Sequence, residues 1–160
     1  MAFPYTVALF GHRRIENFLA VEACLEEQIR DLMKERKTLC FLVGRNGDFD
    51  QCAASTILRL QRAFPSCDSR LVLVLPYPTA EYQKNTESFH RYYDDVEISM
   101  AASVAHPKSA IQIRNREMVD RADQVICYVE NGKGGAAQTL RYAEKQGKGL
   151  ILIHPYGRSR

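Results

Sequence analysis

Arg114, Asn115 and Arg116 open a run that ends Met118-Val119-Asp120-Arg121-Ala122-Asp123. An apolar segment follows at residues 124–129, and then Gly132-Lys133-Gly134-Gly135. Read as a helix, a buried strand and a glycine-rich turn opening another helix, this order gathers cations and bare backbone N–H groups at one rim of a parallel sheet. Such a rim is where an α/β protein holds a phosphate. Arg114 lies four residues before Met118, close to the apolar side formed by Ile111, Met118, Val119 and Ala122. A guanidinium so placed costs free energy unless an anion or an acceptor compensates it. Asp48 and Glu97 are internal candidates for that role, and a bound anion is the other.

Two further loops carry ligand-binding residue types. In Gly11-His12-Arg13-Arg14 the glycine permits a tight turn, while His12 and Arg13 can donate to an anion; the alternative is a solvated turn. In Gly44-Arg45-Asn46-Gly47-Asp48-Phe49-Asp50 the spaced glycines suit close approach to a sugar or phosphate. Asp48 can accept from ribose hydroxyls, and Asp50 reads equally well as a helix N-cap. No Gly-Lys-Ser/Thr follows, so this is not a Walker loop, and the G-x-G-x-x-G fingerprint is absent. Gly134 and Gly135 leave amides open at a helix start, where the macrodipole favours an anion, with Thr139 one turn further on. A glycine needed only for positive φ is the competing explanation there.

The candidate ligand-binding set is therefore Gly11, His12, Arg13, Gly44, Gly47, Asp48, Arg114, Asn115, Gly134, Gly135 and Thr139. No catalytic residue is singled out. His12, His90, His106 and His154 show no metal-ligand spacing, the cysteines show none either, and no constellation calls for a metal or cofactor. A nucleophile elbow, G-x-S-x-G, is missing. Tyr77, Tyr82, Tyr92 and Tyr93 form an aromatic cluster that serves either to stack a base or to pack a sheet edge.

These loops need elements to hold them. Residues 5–10, 38–43, 71–75, 125–129 and 150–153 are apolar, β-prone runs, with a short sixth strand expected at 96–98. Helices are expected over residues 15–36, 50–64, 79–90, 108–122 and 135–146, with Thr79 capping the third and His106-Pro107 opening the fourth. Continuously apolar strands alternating with helices predict one α/β domain over residues 1–160. Its expected architecture is a Rossmann-like doubly wound, mainly parallel sheet with helices on both faces.

At 160 residues and 46% hydrophobic, the chain is long enough for one core. Its five cysteines, without a C-x-x-C pair, suit a reducing cytoplasm, and no segment is long and apolar enough for a signal peptide or a membrane span. A net charge of +3 with both signs dispersed lacks the basic stripe of a nucleic-acid binder. Only Arg158-Ser159-Arg160 forms a basic tail, read as a solvated end.

Taken together, Gly11-His12-Arg13, Gly44-Arg45-Asn46-Gly47-Asp48 with Ala53-Ala54, and Arg114-Asn115-Arg116-x-Met118-Val119-Asp120-x-Ala122-Asp123 with Gly134-Gly135 and Thr139 resemble the SMF/DprA–Lonely-Guy (SLOG) superfamily. The resemblance covers nearly the whole chain and is strongest to small stand-alone bacterial YpsA-like members. It implies a nucleotide-ligand binding or sensing domain taking phosphoribosyl or ADP-ribose-like compounds, with a homodimer as the assembly to expect. The alternative it implies is a Lonely-Guy-like phosphoribohydrolase that cleaves the N-glycosidic bond of a nucleotide. Those enzymes carry a P-G-G-x-G-T-x-x-E loop, whereas this chain has Tyr142 where the glutamate would stand, leaving Glu130 and Asp48 as substitute carboxylates. A DprA-like single-stranded DNA binder is the third implied class. The small net charge argues against it, so the expected partner is a small nucleotide-type ligand rather than a nucleic acid or a membrane.

Overall fold

Strands β1 (Tyr5–Gly11), β2 (Thr38–Val43), β3 (Asp68–Leu75), β4 (Asp95–Ile98), β5 (Gln124–Tyr128) and β6 (Gly149–Leu152) form one sheet in the order β4-β3-β2-β1-β5-β6. Every neighbouring pair is parallel, from Val72↔Asp95 at one edge to Val125↔Leu150 at the other. The structure is a computed structural model that describes residues 3–155. The tail Arg158-Ser159-Arg160 lies outside the described residues.

Period-two alternation splits the strands between two apolar layers. Val7, Leu9, Phe41, Val43, Leu71 and Leu73 face one layer with Val21, Leu25 and Ile29 of α1 (Phe18–Glu35) and Phe49 and Ile57 of α2 (Asp48–Ala63). Ala8, Phe10, Leu42, Val72 and Val74 face the other, with Met118 and Val119 of α6 (Pro107–Arg121) and Ala143 of α7 (Gly135–Lys145). Both faces are thus covered, which explains why the strands read as unbroken apolar runs. This is the Rossmann-like α/β architecture expected from the sequence.

The elements differ from the sequence reading in several places, among them the helix starts and the segment 79–106. The first helix begins at Phe18, where Asn17 accepts from the Ala20 amide. The expected helix over residues 79–90 is two, α3 (Ala80–Lys84) and α4 (Thr86–Tyr92), with Asn85 closing one and opening the next. Asn85 Nδ2 donates to the Glu81 carbonyl and Thr86 Oγ1 to the Tyr82 carbonyl, so side chains compete for the helix acceptors at the break. A short helix, α5 (Met100–Ser103), precedes α6, capped by Ser99, whose hydroxyl accepts from Ala102 and donates to Glu117. At α6, His106 Nδ1 accepts from the Lys108 amide and Pro107 fills the first turn, where no N–H is required.

Chain direction reverses its sweep across the sheet at β1, which pairs with β2 on one side and β5 on the other. The carboxyl ends of β1 and β5 therefore splay their following loops apart. A crevice outside that switch point is a consequence of topology alone.

Candidate functional site

A cleft of about 420 Å³ occupies that crevice. Gly11, His12 and Arg13 from the β1 loop line it, with Gly44 from the β2 loop, Arg114 and Asn115 from α6, and Gly134 and Gly135 from the β5–α7 turn. Leu9, Phe10, Ile111 and Met118 supply apolar lining.

Among the described residues Arg114 is the largest fully buried side chain, only 2% exposed. Its Nη1 donates to the Val74 carbonyl at 2.7 Å, its Nη2 to Asn46 Oδ1, and its Nε to Asn115 Oδ1 at 2.9 Å. All three acceptors are neutral. Neither internal carboxylate expected from the sequence is its partner. Glu97 pairs with Arg121 at 2.7 Å, and Asp48 Oδ2 accepts from the Ile15 amide at 2.9 Å. Burial lowers the Arg114 pKa, and the nearby Asp50 opposes that shift. A Cβ on Gly44 would stand 3.0 Å from Nη2 and 3.1 Å from Cζ, so glycine there makes room for the guanidinium.

From Arg114 a chain of hydrogen bonds runs to the start of α7. Asn115 Oδ1 accepts from Arg114 Nε–H, and its Nδ2 donates to Thr139 Oγ1 at 3.1 Å. Thr139 Oγ1 donates in turn to the Gly135 carbonyl at 2.9 Å, which Gln112 Nε2 also reaches at 3.0 Å. Thr139 is itself fully buried and does not line the cleft; it fixes the turn that does. Gly134 has φ 91° and ψ −179°, a region open essentially to glycine, and no side chain caps the helix. The first-turn amides of α7 thus have no side-chain acceptor at the end where the helix dipole is positive.

Other expected residues have structural work. His12 Nε2 accepts from the Glu130 amide at 2.8 Å, so that nitrogen carries no proton for an anion; it ties the β1 and β5 loops together. Gly11 is packed against Phe49, whose Cγ would be 2.5 Å from an added Cβ. Gly47 and Asp48 lie outside the cleft lining. A Cβ on Gly47 would meet Arg13 Cα at 2.5 Å, and the Asp48 amide donates to the Arg13 carbonyl at 2.8 Å. They clamp the β1 and β2 loops together, and the side chain of Arg13 is left exposed at the cleft.

Two polar cleft residues were not singled out from sequence. Asn46 receives Arg114, and its backbone N–H donates to Asp50 Oδ2 at 2.8 Å. Asp50 reads as a helix cap, yet α2 begins two residues earlier, so its carboxyl sits inside the first turn and lines the cleft. Burial raises its pKa, opposed by the Asn46 amide and then by Arg114 and Arg13. The substitute carboxylates Asp48 and Glu130 are occupied elsewhere, Glu130 by the Tyr128 hydroxyl. Tyr142, at the position of the hydrolases' glutamate, donates to Asp120 Oδ1 at 2.6 Å.

Burial pushes the Cys52 thiol up to about 11 and the Cys127 thiol up to about 12, which disqualifies both as thiolate nucleophiles at neutral pH. Among the described residues no three His, Cys, Asp or Glu side chains group as a metal site requires. None of the described helices is long and apolar enough to cross a membrane.

No family model matches the chain, and no curated protein does. Solved structures do. DNA processing protein A from Helicobacter pylori, studied for its single-stranded DNA binding mode, is 22% identical with a TM-score of 0.61. That similarity covers 93% of this chain and 65% of the other. DNA processing protein A (DprA) from Streptococcus pneumoniae is 18% identical with a TM-score of 0.67, over 94% of this chain and 50% of the other. The chain thus spans about two thirds of one relative and half of the other. Likeness at this level is a shared fold.

It also corrects one expectation. Small net charge argued against a nucleic-acid partner, yet a protein with this fold over 93% of the chain binds single-stranded DNA. Net charge averages over the whole surface, whereas an anion senses only local groups. Here Arg13, Arg114 and the open amides of α7 converge on one cleft.

Proposed function

We propose that the cleft binds the phosphate of a nucleotide, and that the chain is a nucleotide-binding member of the SLOG superfamily. One observation carries the reading. A guanidinium 2% exposed lies at the cleft with only neutral acceptors. Those bonds use three of its five N–H groups, leaving two for a ligand among the described residues. Neutral acceptors satisfy its donors but do not neutralise its charge; the nearby carboxyl is Asp50, whose ionisation burial disfavours, and an external anion would supply the compensating charge. A phosphate resting on the α7 amides and the Arg114 guanidinium would make charge-assisted hydrogen bonds to both. Arg13 would close over it from the mouth.

The phosphate can arrive on a free phosphoribosyl nucleotide or within a single strand. The fold shared with a single-stranded DNA binder supports the second source as well as the first. Binding is favoured over hydrolysis, because Tyr142 and its hydrogen bond to Asp120 occupy the region of the hydrolases' glutamate.

The test is thermal melting against AMP, ADP, ADP-ribose, NAD and a thymidine oligonucleotide, with chromatography of each mixture for released base. A true ligand at a hundred times its Kd stabilises by about 2.7 kcal/mol, which is roughly 5–10 °C for a chain of this size. Arg114→Lys keeps the charge and loses the fork, and is expected to weaken binding by roughly 10- to 100-fold. Unchanged melting across the whole panel would overturn the reading, and base release would replace it with the hydrolase.

A further inference from the structure

Next to the cleft, across the loop Gly44-Arg45-Asn46, lies a second and larger cavity of about 680 Å³. Gly44 and Asn46 line the cleft while Arg45 lines this groove; Asp50 lines the cleft while Gln51 lines the groove. One strand-to-helix turn is the wall between them. Phe18 at the start of α1 and Tyr92 at the end of α4 line the groove at 40% and 41% exposure, large aromatic surface left in water. Behind them Phe89 and Tyr93 are buried, and Tyr93 braces Tyr92 edge-to-face at 4.9 Å.

The groove differs from the cleft in its charge. Arg45 donates to both oxygens of Glu81 at 3.1 and 3.0 Å and to the Tyr93 hydroxyl at 2.9 Å, and lies 4.8 Å over the Phe89 ring. Its charge is neutralised in place, so the groove has no unpaired cation to offer a second phosphate. What remains is exposed aromatic surface with the side chains of Gln51, Ser55 and Asn85 around it. Stacking faces with amide and hydroxyl groups nearby match a planar heterocycle bearing donors and acceptors on its edge.

We propose that this groove stacks one base of a single DNA strand while the phosphate of a neighbouring nucleotide in that strand occupies the cleft, with Phe18 and Tyr92 as the stacking residues. The proposal rests on the phosphate reading of the cleft. Because the two cavities share one loop as a wall, a strand crossing that loop presents phosphate to one and a base to the other. Stacking of this kind tolerates any base.

The experiment measures binding of (dT)6 and of dTMP to the wild-type chain, Phe18→Ala, Tyr92→Ala and Arg114→Lys, with melting temperature confirming that each variant folds. Both aromatic residues are surface side chains, and their removal leaves the core intact. Expected is a loss of about tenfold in (dT)6 affinity for each aromatic variant, with dTMP affinity unchanged, and a loss for both ligands in Arg114→Lys. If the aromatic variants hold (dT)6 as tightly as wild type while Arg114→Lys releases it, the groove assignment is wrong and the phosphate cleft stands. If Arg114→Lys changes nothing while the aromatic variants lose (dT)6, the cleft reading fails and stacking survives without it. A wild-type chain that ignores (dT)6 refutes the groove assignment, and dTMP binding then decides the cleft separately.

Discussion

Asp50 holds an ionisable side chain at the cleft at a cost in desolvation. Its carboxyl lines a cleft, and burial raises its pKa against the pull of the Asn46 amide, Arg114 and Arg13. A raised carboxylate pKa has a definite sign in stability. Below the ordinary aspartate value, about 3.9, folded and unfolded chains both carry the proton. As pH rises from there towards the native pKa, the unfolded chain releases its proton first, so stability falls across that window. Asp50→Asn keeps an acceptor for the Asn46 amide and cannot ionise. It is expected to melt above wild type at pH 7, with the advantage shrinking as pH falls to 4. A variant that melts lower at pH 7 would show that the carboxylate is stabilising after all. Ionisable groups held at such a cost concentrate at functional sites, which is consistent with a cleft that handles charge.

Helix α7 makes the anion reading depend on an element rather than on any one side chain. Its first turn is open because Gly134 turns the chain with φ 91° and offers no cap, and because Gln112 and Thr139, the latter held by Asn115, fix the Gly135 carbonyl. Gly134→Ala meets no atom within 4 Å, so its penalty is conformational only, about 1–3 kcal/mol if the turn is retained. Thr139→Val keeps the volume and strands the Asn115 amide, at a cost of roughly 1–3 kcal/mol. Both variants are expected to fold, to melt lower and to weaken nucleotide binding, checked by melting and titration. Nucleotide affinity untouched in both would detach the α7 turn from the ligand. Much of this was legible beforehand. Apolar runs gave five of the six strands, the short one at 96–98 being expected without such a run, and glycines after the second and fifth marked the loops that line the cleft. The split at Asn85 was not legible, because Tyr82 and Phe89 keep helical spacing across a break made by local side-chain hydrogen bonds. Nor was the service of Gly47 and Asp48 as a clamp on the Arg13 backbone, since that contact joins two loops that meet only through sheet order.

At the scale of the molecule, charge decides how strongly a polyanion is held. The chain carries 22 Lys and Arg against 19 Asp and Glu. Most described arginines with partners are paired at the surface, such as Arg59 with Glu22 and Glu26, or Arg121 with Glu97 and Glu117. Such pairs contribute little to stability, but they neutralise the field that would otherwise extend along a strand. Arg13 and Arg114 differ, being cations at the cleft with no carboxylate salt bridge among the described residues. A single strand should therefore meet one or two phosphate contacts rather than a basic track. Each neutralised phosphate contributes about −0.7 to the slope of log K against log salt, so the slope for (dT)6 is expected at roughly −0.7 to −1.4. Arg13→Gln should make it shallower by about 0.7 if Arg13 engages a phosphate. Titrations from 50 to 200 mM salt read the slope directly. A value near −4 would mean a wide basic footprint that these ion pairs do not leave free, and the two-site geometry of cleft and groove would then be the wrong account of how the strand is held.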